Sequence, residues 1–134
     1  ILLVTYLMGT PKSLICYGVY LVIGIIGLPV FAGFMGGFSR ITGPTGGYLI
    51  GYTAVIIFAG IFNHFGKNKI WMFIIGSVLG IAICYIIGSI WFMYVMSTDW
   101  KQAVWLCVIP YIPFDIMKII AVCIIGPAIK KNIK

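Results

Sequence analysis

The sequence predicts an all-α protein built as a polytopic bundle of transmembrane helices. Hydrophobic residues make up 63% of its 134 residues and charged residues only 8%, against roughly 45–50% and 25% in average proteins. A domain of this length keeps much of its surface in contact with solvent, so a chain this apolar fits lipid better than water. The apolar residues also fall in long runs between short polar or glycine-rich breaks. We therefore expect one transmembrane domain over residues 1–134.

The apolar runs predict six helices. The first, at 1–9, is too short for a bilayer core that needs about 20 helical residues. Because no initiator methionine precedes it, we expect this stretch to end a helix whose start is missing from the sequence. The other helices are predicted at 13–28, 47–63, 70–96, 102–109 and 114–130. The 102–109 helix is also too short to cross, and we expect it to lie at the membrane interface.

The basic residues indicate how the chain is oriented. If the C-terminus is cytoplasmic, the turns that hold Lys12, Lys67 and Lys69 lie on the same side, and only Arg40 and Lys101 lie outside. Cytoplasmic loops carry an excess of Lys and Arg, so this orientation is the expected one. The same distribution accounts for the formal net charge of +7, and no nucleic-acid partner is expected.

The polar residues argue against an enzyme, a metal site or a cofactor. His64 is the one histidine, so no histidine pair is available for zinc. Asp99 and Asp115 are the two acidic residues, and the four cysteines stand far apart without a metal-ligand spacing. We find no set of base and nucleophile that could form a catalytic triad.

Asp115 and Lys118 are the charged residues that need an explanation, because both fall inside the last apolar run. Their i, i+3 spacing places them on one helix face. A charge in the middle of a membrane costs about 2.5–3.5 kcal/mol on insertion scales, so it is usually kept for a partner or a function. Two interpretations follow: a mutual ion pair, or a ligand-binding pair near the outer end of the helix.

A glycine-rich segment is predicted on the same outer side. It contains Gly33, Gly36, Gly37, Gly43, Pro44, Gly46 and Gly47. Irregular backbone at membrane depth requires protein or an aqueous cavity to satisfy it, and glycine permits close approach to a ligand. With Phe34, Met35 and Phe38 as an apolar underside, the segment is expected to cover a small-molecule pocket. A plain re-entrant turn is the alternative.

Small residues recur along the longest predicted helix. Gly76, Gly80, Cys84 and Gly88 share one face, and Gly47 and Gly51 repeat the spacing on the preceding helix. Such faces let helix backbones approach closely in lipid. The pattern predicts packing within the bundle or, alternatively, docking to a separate membrane subunit.

Several strings in the chain resemble one known family. They are Gly27 to Gly33 (GLPVFAG), Gly43 to Tyr52 (GPTGGYLIGY), Gly88 to Trp91 (GSIW) and Pro110 to Lys118 (PYIPFDIMK). In this order they resemble the BioY family, the biotin-specific substrate-capture (S) subunits of energy-coupling factor transporters. The resemblance implies a six-helix bundle, here without its first helix and the start of its second, in a bacterial-type plasma membrane. It further implies biotin as ligand, and a transmembrane coupling subunit and two cytoplasmic ATPases as partners.

The resemblance also implies a binding site. The ureido group of biotin has two N–H donors and a carbonyl acceptor, which suit Asp115 and Lys118. We expect the ring system against aromatic side chains and the Gly43–Tyr48 string over the pocket, with the carboxylate near Arg40 or the backbone of the glycine-rich segment. The residues that complete this expected site are Phe34, Pro44, Thr45, Tyr48, Tyr85 and Trp91. Some family members carry Asn where this chain has Met35, and Arg where it has Leu49. Arg40 is the candidate to replace the positive charge of that arginine.

Two other functions stay open at this stage. Related capture subunits share the scaffold, so the ligand could be another small vitamin. The chain could also be a structural membrane subunit without transport activity, in which Asp115 and Lys118 form only an ion pair.

Overall fold

The computed structural model describes residues 1–31, 34–67 and 69–133. In these ranges the chain forms seven helices, and its one β contact is an isolated bridge between Phe31 and Met35. The helices are α1 (Leu2–Met8), α2 (Thr10–Ile26), α3 (Ser39–Thr42), α4 (Gly46–Phe65), α5 (Ile70–Met96), α6 (Trp100–Cys107) and α7 (Ile112–Ile133). The predicted all-α class is confirmed.

Helix α2 begins and ends earlier than the predicted 13–28. Gly9, at φ 82°, separates it from α1, and Pro11 lies in its first turn, where the N–H that proline lacks is not needed. At the other end Gly27 takes φ 116° and donates its N–H to the Gly24 carbonyl at 3.2 Å. This left-handed cap ends the helix before Pro29.

Helices α4, α6 and α7 differ by one to three residues from the predicted 47–63, 102–109 and 114–130. Helix α4 continues past Asn63, which is buried and donates from Nδ2 to the Tyr6 carbonyl at 3.2 Å. Helix α6 ends earlier than expected because the residue before Pro110 is disfavoured in helical conformation. Helix α7 accommodates Pro113 in its first turn and continues through Pro127.

Helices α4 and α5 form the closely packed centre of the structure. A Cβ on Gly76 would lie 2.6 Å from the Phe58 carbonyl oxygen, and a Cβ on Gly80 would lie 2.6 Å from the Cα of Val55. These glycines therefore let the two antiparallel backbones approach where a larger residue would separate them. The small-residue face of α5 packs inside this bundle, which is the first of the two alternatives that the sequence left open.

The remaining long helices surround this pair. Tyr6 of α1 packs edge-on against Phe73 of α5 at 5.2 Å between ring centroids, and its ring also lies against Gly126 of α7. Thr10, at the start of α2, fills the space that a side chain on Gly60 of α4 would need. The start of α2 and the ends of α1, α4 and α7 thus meet at one end of the bundle.

The structure has the properties of a membrane protein. Helices α4, α5 and α7 are long and apolar enough to cross a bilayer, and α2 is a shorter apolar helix of 17 residues. Many large apolar side chains face outward on these helices, for example Ile26 at 75% and Ile124 at 69% exposed. In lipid, such surfaces need no protein partner. The predicted polytopic transmembrane bundle is confirmed.

Candidate functional site

A cavity of about 400 Å³ lies at the end of the bundle that holds the glycine-rich segment. Its volume falls in the range of about 300–1,000 Å³ that is typical of small-molecule sites. Six tyrosines contribute to its wall: Tyr17, Tyr20, Tyr48, Tyr52, Tyr85 and Tyr111. Asp115, Lys118 and Arg40 supply its charges, and Phe31, Leu49 and Val55 are among its apolar residues. The cavity therefore combines aromatic walls with a few charged groups.

Asp115 and Lys118 meet at one part of this wall. Lys118 Nζ lies 3.2 Å from Asp115 Oδ1, and the Tyr85 hydroxyl donates a hydrogen bond to Asp115 Oδ2. Asp115 is only 8% exposed, whereas the Lys118 side chain is 52% exposed. The two sequence-based interpretations are therefore compatible: the residues form an ion pair, and the pair borders a cavity.

Arg40 lies in another part of the wall, on the short helix α3. Two hydrogen bonds hold this region in place. Thr45 Oγ1 donates to the Arg40 carbonyl at 3.5 Å, and Trp91 Nε1 donates to the Gly43 carbonyl at 2.8 Å. Among residues 1–31, 34–67 and 69–133, the guanidinium of Arg40 has no carboxylate within ion-pair distance. This part of the cavity thus presents a cation without an anionic partner.

The glycines of the segment that the structure describes contact protein, and none of them borders the cavity. A Cβ on Gly36 would overlap the Leu28 backbone, and one on Gly46 would overlap the Ile41 carbonyl. Gly37, at φ 109°, donates its N–H to the Gly24 carbonyl at 2.7 Å. The remaining members, Gly43, Pro44 and Gly47, are likewise absent from the wall, and Gly33 lies outside the described residues. These glycines shape the segment, and its residues Arg40 and Thr45 border the cavity.

Two of the expected aromatic residues lie elsewhere than the pocket wall. Phe34 is 90% exposed, and its φ of 55° directs it away from the bundle. Phe31 takes the inner position instead: it is 6% exposed and borders the cavity. Trp91 lies behind the segment, and its indole N–H binds the Gly43 carbonyl. Tyr48 and Tyr85 do lie in the wall, as expected.

The model of the BioY family matches residues 1–134. The chain belongs to the BioY family. A "Probable biotin transporter BioY" of Pyrococcus horikoshii is 32% identical over 98% of this chain and 76% of that protein. A "Biotin transporter BioY" of Thermotoga maritima is 29% identical over 98% of this chain and 76% of that protein.

A solved structure shares the fold. It is described as the S-component for biotin from an ECF-type ABC transporter, and it superimposes with a TM-score of 0.86 at 26% identity. The match covers 97% of this chain and 71% of that one. The family and the S-component fold that the motifs suggested are confirmed.

Leu49, where the resemblance implies an arginine in some family members, is an apolar residue. Leu49 borders the cavity with its side chain, while its carbonyl accepts a hydrogen bond from the Tyr17 hydroxyl at 2.5 Å. Met35, where the resemblance implies an asparagine in some members, is 48% exposed. The arginine in this part of the wall is Arg40, nine positions earlier in the chain.

Four tyrosines of the cavity were not expected from the sequence. Tyr17 and Tyr20 stack at 5.7 Å between centroids, and Tyr17 lies 6.0 Å from Tyr52. Tyr111, between α6 and α7, completes the set. The sequence did contain a pattern that could have indicated three of them. Tyr17 and Tyr20 are spaced i, i+3 in α2, and Tyr48 and Tyr52 are spaced i, i+4 in α4, so each pair lies on one helix face.

Proposed function

We propose that this chain is the biotin-capture subunit of an energy-coupling factor transporter. The observation that carries the proposal is the Asp115–Lys118 pair at the wall of a cavity of about 400 Å³. Membership of the BioY family and the biotin-related descriptions of its relatives support biotin as the ligand. They also support a transport function rather than an enzymatic one.

The cavity offers complementary groups for each part of biotin. Asp115 accepts a hydrogen bond from a ureido N–H group, and Lys118 donates to the ureido carbonyl. The rings of Tyr48 and Tyr85 enclose the fused ring system. Each of these roles uses a side chain that the sequence-based interpretation named.

The charges of the wall favour a ligand with one negative charge. Arg40 and Lys118 contribute two positive charges and Asp115 one negative charge, so the side chains of the wall carry a net charge of +1. Asp115 is already paired with Lys118, whereas Arg40 has no carboxylate within ion-pair distance in the part of the chain that the structure describes. Arg40 is therefore the group left to bind an anion. Free biotin meets this requirement, with a neutral ureido group and one carboxylate. We therefore place its carboxylate at Arg40.

The proposed orientation puts this cavity on the outer side of the plasma membrane. Lys12, Lys67 and Lys69 lie at the end of the bundle where α1 meets α2 and α4 meets α5, together with Lys130 and Lys131 of α7. The positive-inside bias makes that end, with the C-terminus, cytoplasmic. Biotin then enters from outside, and the cytoplasmic end is available to an energising module. We propose that this module consists of a transmembrane coupling subunit and two cytoplasmic ATPases.

A ligand panel tests the proposed function. The full-length protein is purified in detergent, and the binding of biotin, desthiobiotin, thiamine and riboflavin is measured by calorimetry. We expect saturable binding of biotin, competition by desthiobiotin, and no competition by the other two vitamins. Preferred binding of thiamine or riboflavin would favour the alternative of another vitamin and would overturn the assignment to biotin.

A paired substitution distinguishes capture from a purely structural role. Replacing both Asp115 and Lys118 by Leu removes the pair without leaving one charge buried alone. The folded variant is expected to lose biotin binding. Binding and transport that both persist would show that the two residues form only an ion pair.

A further inference from the structure

The hydroxyl of Tyr85 has a specific partner beyond the aromatic contact expected of its ring. It donates a hydrogen bond to Asp115 Oδ2, while Lys118 Nζ lies 3.2 Å from Oδ1 of the same carboxylate. Tyr85 comes from α5, whereas Asp115 and Lys118 come from α7. Each oxygen of the carboxylate therefore has one donor, and the two donors belong to different helices.

We propose that Tyr85 is a positioning residue that fixes the Asp115 carboxylate for ligand binding. A carboxylate has about four acceptor positions on its two oxygens. Tyr85 and Lys118 occupy one position on each oxygen, so an acceptor position remains for an N–H donor of the ligand. This inference rests on the proposed function, since it assigns how Asp115 is presented to the ureido group.

Lys118 alone is not suited to this positioning. It belongs to the same helix as Asp115, and its side chain is 52% exposed. Its contact with Asp115 therefore does not connect the carboxylate to any other helix. Long, exposed side chains also lose considerable conformational entropy when they are fixed. A donor from a second helix removes this freedom, because it defines the direction of Oδ2 independently of α7.

Helix α5 is a rigid support for such a donor. Two residues of the small-residue face of α5, Cys84 and Gly88, lie close to Tyr85 in the sequence and pack against α4. Cys84 Sγ donates to the Tyr48 carbonyl at 3.5 Å. The Tyr48 ring occupies the space that a side chain on Gly88 would need. Side chains larger than these would push α5 away from α4. The Tyr85 hydroxyl is thus fixed relative to the central helix pair, and through it Asp115 is fixed to the same frame.

A double-mutant cycle tests the inference. Tyr85→Phe removes only the hydroxyl, and we expect biotin affinity to fall about tenfold, as for loss of a hydrogen bond to a charged group. In the Asp115→Asn background the same substitution is expected to change affinity less than about twofold, because the group that it positions is already altered. Tyr94→Phe is the matched control, since Tyr94 lies on the same helix, is 83% exposed and is absent from the cavity wall.

An infrared measurement provides a readout that a merely structural role would not change. This chain contains two aspartates and no glutamate, so ¹³C-aspartate labelling reports on Asp99 and Asp115, and Asp115→Asn identifies the band of Asp115. Tyr85→Phe is expected to shift that band, without ligand, and to leave the Asp99 band unchanged.

The outcomes separate this inference from the proposed function. An unshifted Asp115 band in Tyr85→Phe, or an equal loss of affinity with and without the Asp115 carboxylate, would overturn the positioning role. Wild-type protein that binds no biotin would instead overturn the proposed function. Even then, a shift of the Asp115 band between the wild type and Tyr85→Phe would still support the hydrogen bond from Tyr85.

Discussion

The ring of Phe31 packs against Gly24 at the place where a side chain on residue 24 would have to stand. Gly24 also accepts the N–H of Gly37 at its carbonyl, at 2.7 Å. Gly24 of α2 thus packs against the Phe31 ring and also accepts a backbone hydrogen bond from the glycine-rich segment. Because Phe31 borders the cavity, this contact determines the shape of the cavity as well as the position of the segment.

Gly24→Ala is expected to displace Phe31 and to destabilise the protein. The added methyl group would overlap the ring, and overpacking of this kind costs typically about 1–3 kcal/mol. We expect a lower thermal midpoint and weaker biotin binding, measured by differential scanning fluorimetry and calorimetry. Gly18→Ala is the control on the same helix, because among the described residues no atom outside the local helix backbone and the two chain neighbours lies within 4 Å of its added Cβ. Equal effects of the two substitutions would contradict the importance of the Phe31 contact.

Asp115→Asn is expected to weaken biotin binding by at least about 1.5 kcal/mol, the lower value for a hydrogen bond to a charged group. The substitution keeps the size of the side chain but exchanges one acceptor oxygen for a donor, which faces the N–H groups of the ligand unfavourably. Asp99→Asn is the matched control, since Asp99 precedes α6 and lies outside the cavity wall. Unchanged affinity of the Asp115 variant in calorimetry would refute its role in binding.

Arg40→Gln is expected to weaken the binding of biotin by about 1.5–3 kcal/mol, because a charge-assisted hydrogen bond to the carboxylate is lost. The methyl ester of biotin has no negative charge, so its affinity should be lower in the wild type and nearly the same in the variant. Lys101→Gln serves as the control for a general change in charge, since Lys101 is exposed and outside the cavity wall. An equal effect of Arg40→Gln on acid and ester would place the carboxylate elsewhere.

The sequence was informative where one physical requirement dominates. Asp115 and Lys118 stand out because a charge inside an apolar run is costly in a membrane, and the structure brings both to the cavity. The small residues of α5 predicted close helix packing for a similar reason, since only small side chains permit it. In both cases the residue type alone restricts the possible environments.

The direction of side chains in the glycine-rich segment could not be predicted in this way. Phe34 was expected under the segment and is exposed, whereas Phe31 lies inside. Which aromatic residue faces inward depends on the φ and ψ angles of each residue in an irregular backbone, such as the φ of 55° at Phe34. Tyr17 and Tyr52 were missed for a different reason: on an apolar helix, tyrosine satisfies a packing role and a binding role equally well.

The thiol of Cys107 offers a test of the cavity that does not depend on a substitution. Cys107 lies on α6 and borders the cavity. Burial raises the pKa of this thiol, and the nearby Tyr48 hydroxyl offsets part of the effect. The thiolate is the reactive form, so at neutral pH Cys107 should be alkylated more slowly in the folded protein than in the unfolded protein. The increase of the alkylation rate with pH should also occur at a higher pH in the folded protein.

Bound biotin should slow the alkylation of Cys107 further, because it fills the cavity that this thiol borders. The rate is measured by mass spectrometry of the peptide that contains Cys107, at several pH values, with and without biotin. Cys16 in the same sample is the internal control, since it is exposed and absent from the cavity wall, and its rate should not respond to biotin. If biotin protected neither cysteine while calorimetry showed saturation, the ligand would have to bind outside the cavity bordered by α6.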